Sequence, residues 1–124
     1  MVWKFTGDSP VYQQIVHLLQ EAVLCGEFSP GDKIPSVRDL ALEAKVNPNT
    51  MQHALHCLEE DGLLVTQSTN GRYVTQDAAV IAAVRRRRLE LLTQTTVQKF
   101  KALGLSPSEA ADWITNYDET RDDA

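Results

Sequence analysis

Three consecutive stretches predict the fold: IPSVRDLALEAK at residues 34–45, VNPNTMQHALHCLEEDG at residues 46–62 and LLVTQSTNGRYVT at residues 63–75. The first two stretches contain a helix-capping residue, Ser36 and Asn47, followed by apolar residues at helical spacing. The third has two short apolar runs around an Asn-Gly pair, which predicts a tight hairpin turn. Helix, short turn, helix and hairpin in this order predict a winged helix-turn-helix, whose second helix fits the major groove of DNA.

Helical patterns also lie on both sides of this stretch. Ser9, followed by a proline, predicts the N-cap of a first helix that ends at Gly26. Residues 78–103 read as one long helix closed by a glycine. Ser106 then starts a capping box, which predicts a final helix to about Asn116.

The sequence therefore predicts a mainly α chain with a small β-hairpin, in two parts. Residues 1–77 form a winged helix-turn-helix DNA-binding domain, and residues 78–124 form a two-helix C-terminal dimerisation element whose acidic end, from residue 118, is expected to be frayed. Two helices cannot bury their own apolar faces, so we expect a second copy to cover them. The residues expected at this dimer interface are Ile81, Val84, Leu89, Leu92, Phe100, Leu103 and Trp113.

The composition limits the class of protein. The chain of 124 residues holds one modest core. The first eight residues lack the apolar run of a signal peptide, and no stretch approaches the roughly 18 apolar residues of a membrane span, so a cytoplasmic location is expected. No phosphate loop, metal-ligand spacing or carboxylate pair indicates an enzyme, and neither a cofactor nor a metal is expected. Cys25 and Cys57 are predicted to be core residues rather than a disulfide.

The charge of the predicted DNA-binding domain is unusual. Residues 1–77 carry five Lys and Arg side chains against ten Asp and Glu, a net charge of −5. A basic domain is the usual electrostatic footprint of nucleic-acid binding. If DNA is bound, the sequence therefore predicts segregated charge and a shallow salt dependence. An alternative stays open, in which the winged helix is a protein-interaction module with an acidic surface that reads no DNA.

One face of the predicted recognition helix, residues 48–61, is polar but uncharged near its beginning. Asn49, Gln52, His53 and His56 lie opposite the apolar stripe of this helix. Amide and imidazole groups both donate and accept hydrogen bonds, which suits the reading of base edges. His56 is equally well explained as a surface histidine.

The combination of motifs resembles the N-terminal domain of GntR-type bacterial transcription regulators. The resemblance rests on PVYQQI at residues 10–15, PSVR at residues 35–38, VNPNT at residues 46–50 and GRYV at residues 71–74. The short C-terminal part is similar to that of the YtrA subfamily. This resemblance implies a dimeric repressor that binds a palindromic operator.

The resemblance also implies roles for single residues. Ser36 and Arg38 match a motif that holds the DNA backbone and nearby bases, and Gly71 matches the wing glycine that allows close approach to the minor groove. Many relatives place positive charges where this chain has Pro48 and Ser68. The residues expected to bind DNA are Lys33, Ser36, Arg38, Asn47, Asn49, Thr50, Gln52, His53, Asn70, Gly71 and Arg72.

The expected partners are double-stranded DNA with an inverted repeat and a second copy of the chain, and no membrane. A small-molecule effector is left open. The role of the arginine run at residues 85–88 also stays open between solvation, pairing with acids across a dimer and an auxiliary phosphate contact. Four consecutive helical residues span more than one turn, so they cannot all face one partner.

Overall fold

The computed structural model describes residues 1–120, and the remainder of the predicted frayed end, residues 121–124, lies outside the described residues. The elements are α1 (Val11–Leu24), α2 (Val37–Ala44), α3 (Pro48–Glu60), β1 (Leu64–Thr66), β2 (Arg72–Val74), α4 (Ala78–Ala102) and α5 (Pro107–Thr115). This order confirms the predicted winged helix-turn-helix followed by two helices. The chain divides into two compact units, of which the first is Met1–Arg85. Within residues 1–120, none of the helices combines the length and apolarity needed to cross a membrane.

The core of the first unit forms where α3 packs against α1. The residues with 0% exposure include Ile15 of α1 and Met51 and Leu55 of α3. Leu40 of α2 belongs to the same cluster and is 1% exposed. Burial of apolar surface stabilises such a cluster by about 25 cal/mol per Å². Since one face of α3 is buried here, the opposite face is directed to solvent.

The helices α2 and α3 begin at the predicted caps. The Ser36 hydroxyl oxygen accepts a hydrogen bond from the Asp39 backbone N–H at 3.1 Å. The Asn47 side-chain oxygen accepts one from the Asn49 N–H at 2.8 Å. Between the two helices, Lys45 has a left-handed backbone with φ +58°. The turn of the helix-turn-helix is therefore set by local hydrogen bonds and one left-handed residue.

Gly26 ends α1 with the predicted left-handed backbone, at φ +90°, but the N-cap of this helix and the burial of Cys25 differ from the prediction. The predicted N-cap, Ser9, is wrong because Pro10 holds the cap position without any side-chain hydrogen bond. The Ser9 carbonyl instead accepts from the Gln14 amide at 2.8 Å, and the same amide group makes two hydrogen bonds with the Thr6 backbone. At the other end, Cys25 is exposed rather than buried, because the helix stops there at the surface.

The loop of the hairpin is longer than predicted. Positive φ angles fall on Ser68 at +52° and Gly71 at +107°, and not on Asn70. The Gln67 N–H donates to the Gly71 carbonyl at 2.9 Å, and the Gln67 carbonyl accepts from Asn70 at 2.8 Å. These bonds close a loop over residues 67–71 that contains the Asn-Gly pair, but the tight turn predicted at that pair is wrong.

A third extended segment, which the sequence analysis missed, pairs with β2. The Gly31 N–H donates to the Val74 carbonyl at 2.9 Å, and the Val74 N–H donates to Asp32 at 2.8 Å. Farther along, the Ile34 N–H donates to the Arg72 carbonyl at 3.0 Å. These bonds join the segment before α2 to the wing, which the paired strands β1 and β2 form with their loop.

The beginning of α4 belongs to the first unit. Val84 is buried in the core of the first unit, at 1% exposure, and Ile81 packs against that core. The Arg85 guanidinium donates a hydrogen bond to the Leu24 carbonyl at 3.0 Å. This unit therefore extends eight residues past the predicted boundary at residue 77. Val84 and Ile81 were expected at a dimer interface, but the short connection after β2 returns them to their own core.

The second unit contains the rest of α4 and α5. The predicted capping box starts α5: the Ser106 hydroxyl oxygen accepts from the Glu109 N–H at 3.2 Å, and the Glu109 carboxylate accepts from the Ser106 N–H at 3.0 Å. Ala110 is buried, at 3% exposure. Four residues expected at a dimer interface are exposed, namely Leu89, Leu92, Leu103 and Trp113. Phe100, the remaining one, is half-buried.

The substitution Val84→Ala tests whether α4 contributes to the first core. It should lower the free energy of unfolding by roughly 1–3 kcal/mol, because it removes two buried methyl groups and leaves a cavity. Urea unfolding of the full chain measures this change. The matched control is Val2→Ala, since Val2 is 68% exposed and should change the stability by less than about 0.5 kcal/mol. Equal effects of the two variants would contradict the burial of Val84.

Candidate nucleic-acid interface

A surface groove of about 420 Å³ lies between the start of α2 and the wing. Its lining includes six of the residues predicted to bind DNA: Lys33, Ser36, Arg38, Asn70, Gly71 and Arg72. The pairing of β2 with residues 31–34 is what brings these two distant parts of the sequence together. The lining residues include three cations and no carboxylate. The groove therefore suits a phosphate backbone better than a basic ligand.

Gly71 makes room for Lys33 at the edge of this groove. A Cβ atom added at Gly71 would lie 3.1 Å from Lys33 Cε, and the backbone there has φ +107°. Both the conformation and the close approach disfavour any other residue. The resemblance had implied that this glycine serves an approach to DNA, and the structure adds that its missing Cβ leaves room for the Lys33 side chain.

Arg72 is tied to α3 rather than presented as an unpaired wing cation. Its Nε donates to the Glu59 carboxylate at 2.7 Å, and the other carboxylate oxygen accepts from the Thr66 hydroxyl at 2.6 Å. The hydrogen bonds from Thr66 and Arg72 hold the pKa of the Glu59 carboxyl below its usual range. The Arg72 side chain is only 19% exposed. Where a DNA contact was predicted, the structure has an ion pair that fixes the wing against α3.

The outer face of α3 carries the amide side chains predicted to reach base edges. Asn49 and Gln52 are exposed there, opposite the buried stripe of this helix. Thr50 is half-buried at the beginning of the helix. The side-chain oxygen of Asn47 is engaged in the cap, so this residue shapes the turn in addition to any contact it makes.

His53 is also exposed on this face, but its ring contacts another aromatic ring. It stacks on the ring of Tyr12 from α1, with 3.9 Å between centroids and 17° between ring planes. Tyr12 lies at helical spacing with the apolar residues Ile15 and Leu19 of α1. This spacing does not indicate a contact with a side chain of α3. His56, one turn along α3, lies 3.7 Å from Glu60 at the surface.

Acidic residues of the first unit take part in its backbone structure. The carboxylates of Asp32, Asp61 and Asp77 each accept a hydrogen bond from a backbone N–H, at 2.8, 2.9 and 3.0 Å. Glu59 is paired with Arg72. These four carboxylates therefore stabilise loops, helix ends and the wing, and none of them lines the groove.

The sequence matches a known family and known proteins. Residues 11–74 match the profile described as bacterial regulatory proteins, gntR family. The chain is 30% identical over 116 residues to YhcF, an HTH-type transcriptional regulator of Bacillus subtilis strain 168, covering 94% of this chain and 96% of YhcF. It is 40% identical over 72 residues to the HTH-type transcriptional repressor YtrA of the same organism, covering 58% of this chain and 55% of YtrA.

Solved structures extend the likeness. A GntR family transcriptional regulator from Listeria monocytogenes superimposes with a TM-score of 0.84 and 32% identity, covering 92% of this chain and 100% of that one. The DNA-binding domain of AraR, solved in complex with operator ORX1, matches with a TM-score of 0.54 and 26% identity. That match covers 58% of this chain and 93% of the AraR chain.

The substitution Glu59→Gln tests the tie between the wing and α3. At pH 7 it should lower the free energy of unfolding by roughly 1 kcal/mol, because it removes a charge-assisted bond at a partly exposed site. A carboxylate whose pKa is lowered by folding stabilises the protein above its unfolded pKa and loses this effect as the pH falls. The difference in free energy of unfolding between the variant and the wild type should therefore begin to shrink below about pH 4.3, the usual glutamate pKa, and disappear as the pH falls through the lower pKa of folded Glu59. Urea unfolding at pH 7 and at pH 3 measures both values.

Glu60→Gln is the matched control, because Glu60 is 67% exposed on the same helix turn. It should change the stability by less than about 0.5 kcal/mol at both pH values. If the free energies of unfolding of Glu59→Gln and wild type differ by the same amount at pH 3 as at pH 7, the charge of Glu59 does not contribute to stability.

The observations converge on one family. The fold is a winged helix-turn-helix, the family profile covers its residues 11–74, and YhcF is similar along nearly the whole chain. The named relatives are transcriptional regulators and not enzymes. The chain belongs to the GntR family of DNA-binding bacterial transcriptional regulators, and within it to the YtrA-like subfamily.

Proposed function

We propose that this protein is a repressor that binds an inverted-repeat operator as a homodimer. In each copy, α3 enters a major groove and the wing lies at the adjacent minor groove. The observation that carries the proposal is the cation-lined groove between α2 and the wing, which has no carboxylate in its lining. The same observation disfavours the alternative of an acidic protein-interaction module.

Two sets of side chains divide the work of binding. Lys33 and Arg38 at the groove supply the charges that phosphates attract, and such contacts fix the register of a protein on the duplex. Asn49 and Gln52 on the exposed face of α3 supply amides, which pair in bidentate fashion with adenine edges in the major groove. Affinity therefore comes mainly from the first set and sequence preference from the second.

The relatives support the regulatory part of the proposal. YtrA of Bacillus subtilis is named as a repressor, and the AraR domain is bound to an operator in its structure. A regulator that occupies DNA at a promoter excludes polymerase without any further enzymatic activity. We therefore assign repression, rather than activation, to this chain.

Dimer formation rests on the second unit. Leu92 and Trp113 are 62% and 66% exposed, and an apolar groove of about 350 Å³ between α4 and α5 includes Leu92, Val97 and Ile114. Water-exposed apolar surface of this kind is stabilised by a partner. A second copy is the economical partner, because two-fold symmetry places two α3 helices on an inverted repeat.

Selection of bound duplexes from a random oligonucleotide pool, at two salt concentrations, tests operator binding. An inverted repeat should be enriched. On that duplex, Arg38→Ala should weaken binding by about 1–3 kcal/mol, because a phosphate or base contact is lost. Gln52→Ala should instead reduce the preference for the selected duplex over a random one.

The control for both variants is Leu42→Ala on the outer surface of α2, where Leu42 is 71% exposed. An unchanged dissociation constant for a folded Arg38→Ala variant would remove Arg38 from the interface. A Gln52→Ala effect of equal size on random DNA would count against base reading by Gln52. Failure to enrich any inverted repeat at either salt concentration would reject the proposed operator.

Leu92→Glu tests the dimer. The wild type should sediment as a dimer, and the variant should dissociate at least about tenfold more readily, because a charge is placed in an apolar interface. Leu42→Glu in the first unit is the matched control and should sediment like the wild type. A variant at Leu92 that sediments as the wild type does would place the interface elsewhere, and a monomeric wild type would reject the homodimer.

A further inference from the structure

The ring stack between α1 and α3 has no role in the operator binding described so far. Tyr12 is half-buried and packs against the core of the first unit, whereas His53 is exposed on the outer face of α3. Their rings lie nearly parallel, with 3.9 Å between centroids. A structural role alone would be served by any apolar residue at position 12, so the parallel alignment with an exposed imidazole needs its own explanation.

An imidazole on a helix surface ordinarily samples several side-chain rotamers. Restricting it on binding costs conformational entropy, and a ring that is already restricted avoids that cost. The stack restricts His53 in the free protein, because α1 is itself fixed by buried residues such as Ile15, at 0% exposure. His53 also follows Gln52 directly and lies one turn after Asn49, so it shares the face proposed to read bases.

We infer that Tyr12 is a positioning residue for DNA recognition: it holds the imidazole of His53 in one orientation on the reading face of α3. Tyr12 acts through His53 and contributes to sequence preference without contacting a base. This inference rests on the proposed operator binding. It adds a residue of α1 to a recognition surface whose predicted DNA-binding residues all lie between Lys33 and Arg72.

The hydroxyl of Tyr12 offers a second way to affect DNA, and the variants must separate it from the stack. This oxygen accepts a hydrogen bond from the Gln13 side chain at 3.2 Å and lies in an exposed environment. A hydroxyl contact with phosphate would act equally on every sequence. Tyr12→Phe keeps the ring and removes the hydroxyl, whereas Tyr12→Leu keeps apolar bulk and removes the stack.

The test is a double-mutant cycle on the selected operator and on a random duplex. The measured quantity is the ratio of the two dissociation constants, which reports sequence preference and is insensitive to a loss of folded protein. Tyr12→Leu should reduce this ratio by about three- to tenfold, a part of what one recognised base pair contributes. Tyr12→Phe should stay within about twofold of the wild type, because the stack is kept. In a His53→Ala background, Tyr12→Leu should have no further effect.

Val16→Ala is the matched control, because Val16 is half-buried on the same helix and packs against the same core. It should leave the ratio unchanged even if the stability falls. Three results would overturn the inference. The first is an unchanged ratio for Tyr12→Leu. The second is that Tyr12→Leu lowers the ratio as much in the His53→Ala background as in the wild type, and the third is that Tyr12→Phe lowers the ratio as much as Tyr12→Leu does. A wild type without sequence preference would overturn the proposed operator binding as well, so the two failures are distinguishable.

Discussion

The packing of α3 against α1 determines which side chains of α3 face solvent. Met51, Ala54 and Leu55 are all 0% exposed in this contact, and Ile15 meets them from α1. Successive residues of a helix are rotated by about 100°, so burying one stripe places Asn49 and Gln52 on the opposite side. A rotation of α3 would require reopening the core, at a cost of a few kcal/mol for each large side chain exposed. The core therefore fixes which face of α3 is directed to solvent.

A second constraint couples the wing to this core. The strand β2 pairs with β1 on one side and with residues 31–34 on the other, so the wing and the entry to α2 are parts of one hydrogen-bonded layer. The ion pair of Arg72 with Glu59 then links this layer to α3. Lys33, Arg38 and the wing loop consequently line one groove, although the wing-loop residues in its lining, from Thr69 on, follow Arg38 by more than thirty positions. The groove is a product of backbone pairing, which side-chain motifs alone do not reveal.

Signals from neighbouring residues predicted the helices and strands well, but the sequence predicted tertiary contacts poorly. Ser36, Asn47 and Ser106 cap their helices through hydrogen bonds within three residues, and such bonds are encoded in the adjacent sequence. The errors have both local and distant causes. Gln14, only five residues after Ser9, holds the chain before the helix through hydrogen bonds to the Thr6 and Ser9 carbonyls. Val84, in contrast, is buried in a core that includes Leu64 and Val74, which lie farther away in the sequence. Periodicity reports that a face is apolar, but it does not report which neighbour covers it.

The acidic composition of the first unit does not conflict with DNA binding once the positions of the charges are considered. Carboxylates at Asp32, Asp61 and Asp77 accept backbone hydrogen bonds, while the groove lining carries cations alone among its charged groups. Because few cations line the groove, DNA binding should release few counterions, and we expect weak non-specific binding. Weak non-specific binding increases the share of total affinity that depends on base reading. Under the proposed mode of operator binding, the uncharged outer face of α3 would supply most of the discrimination between sequences, so the orientation of its side chains would affect which operator is bound.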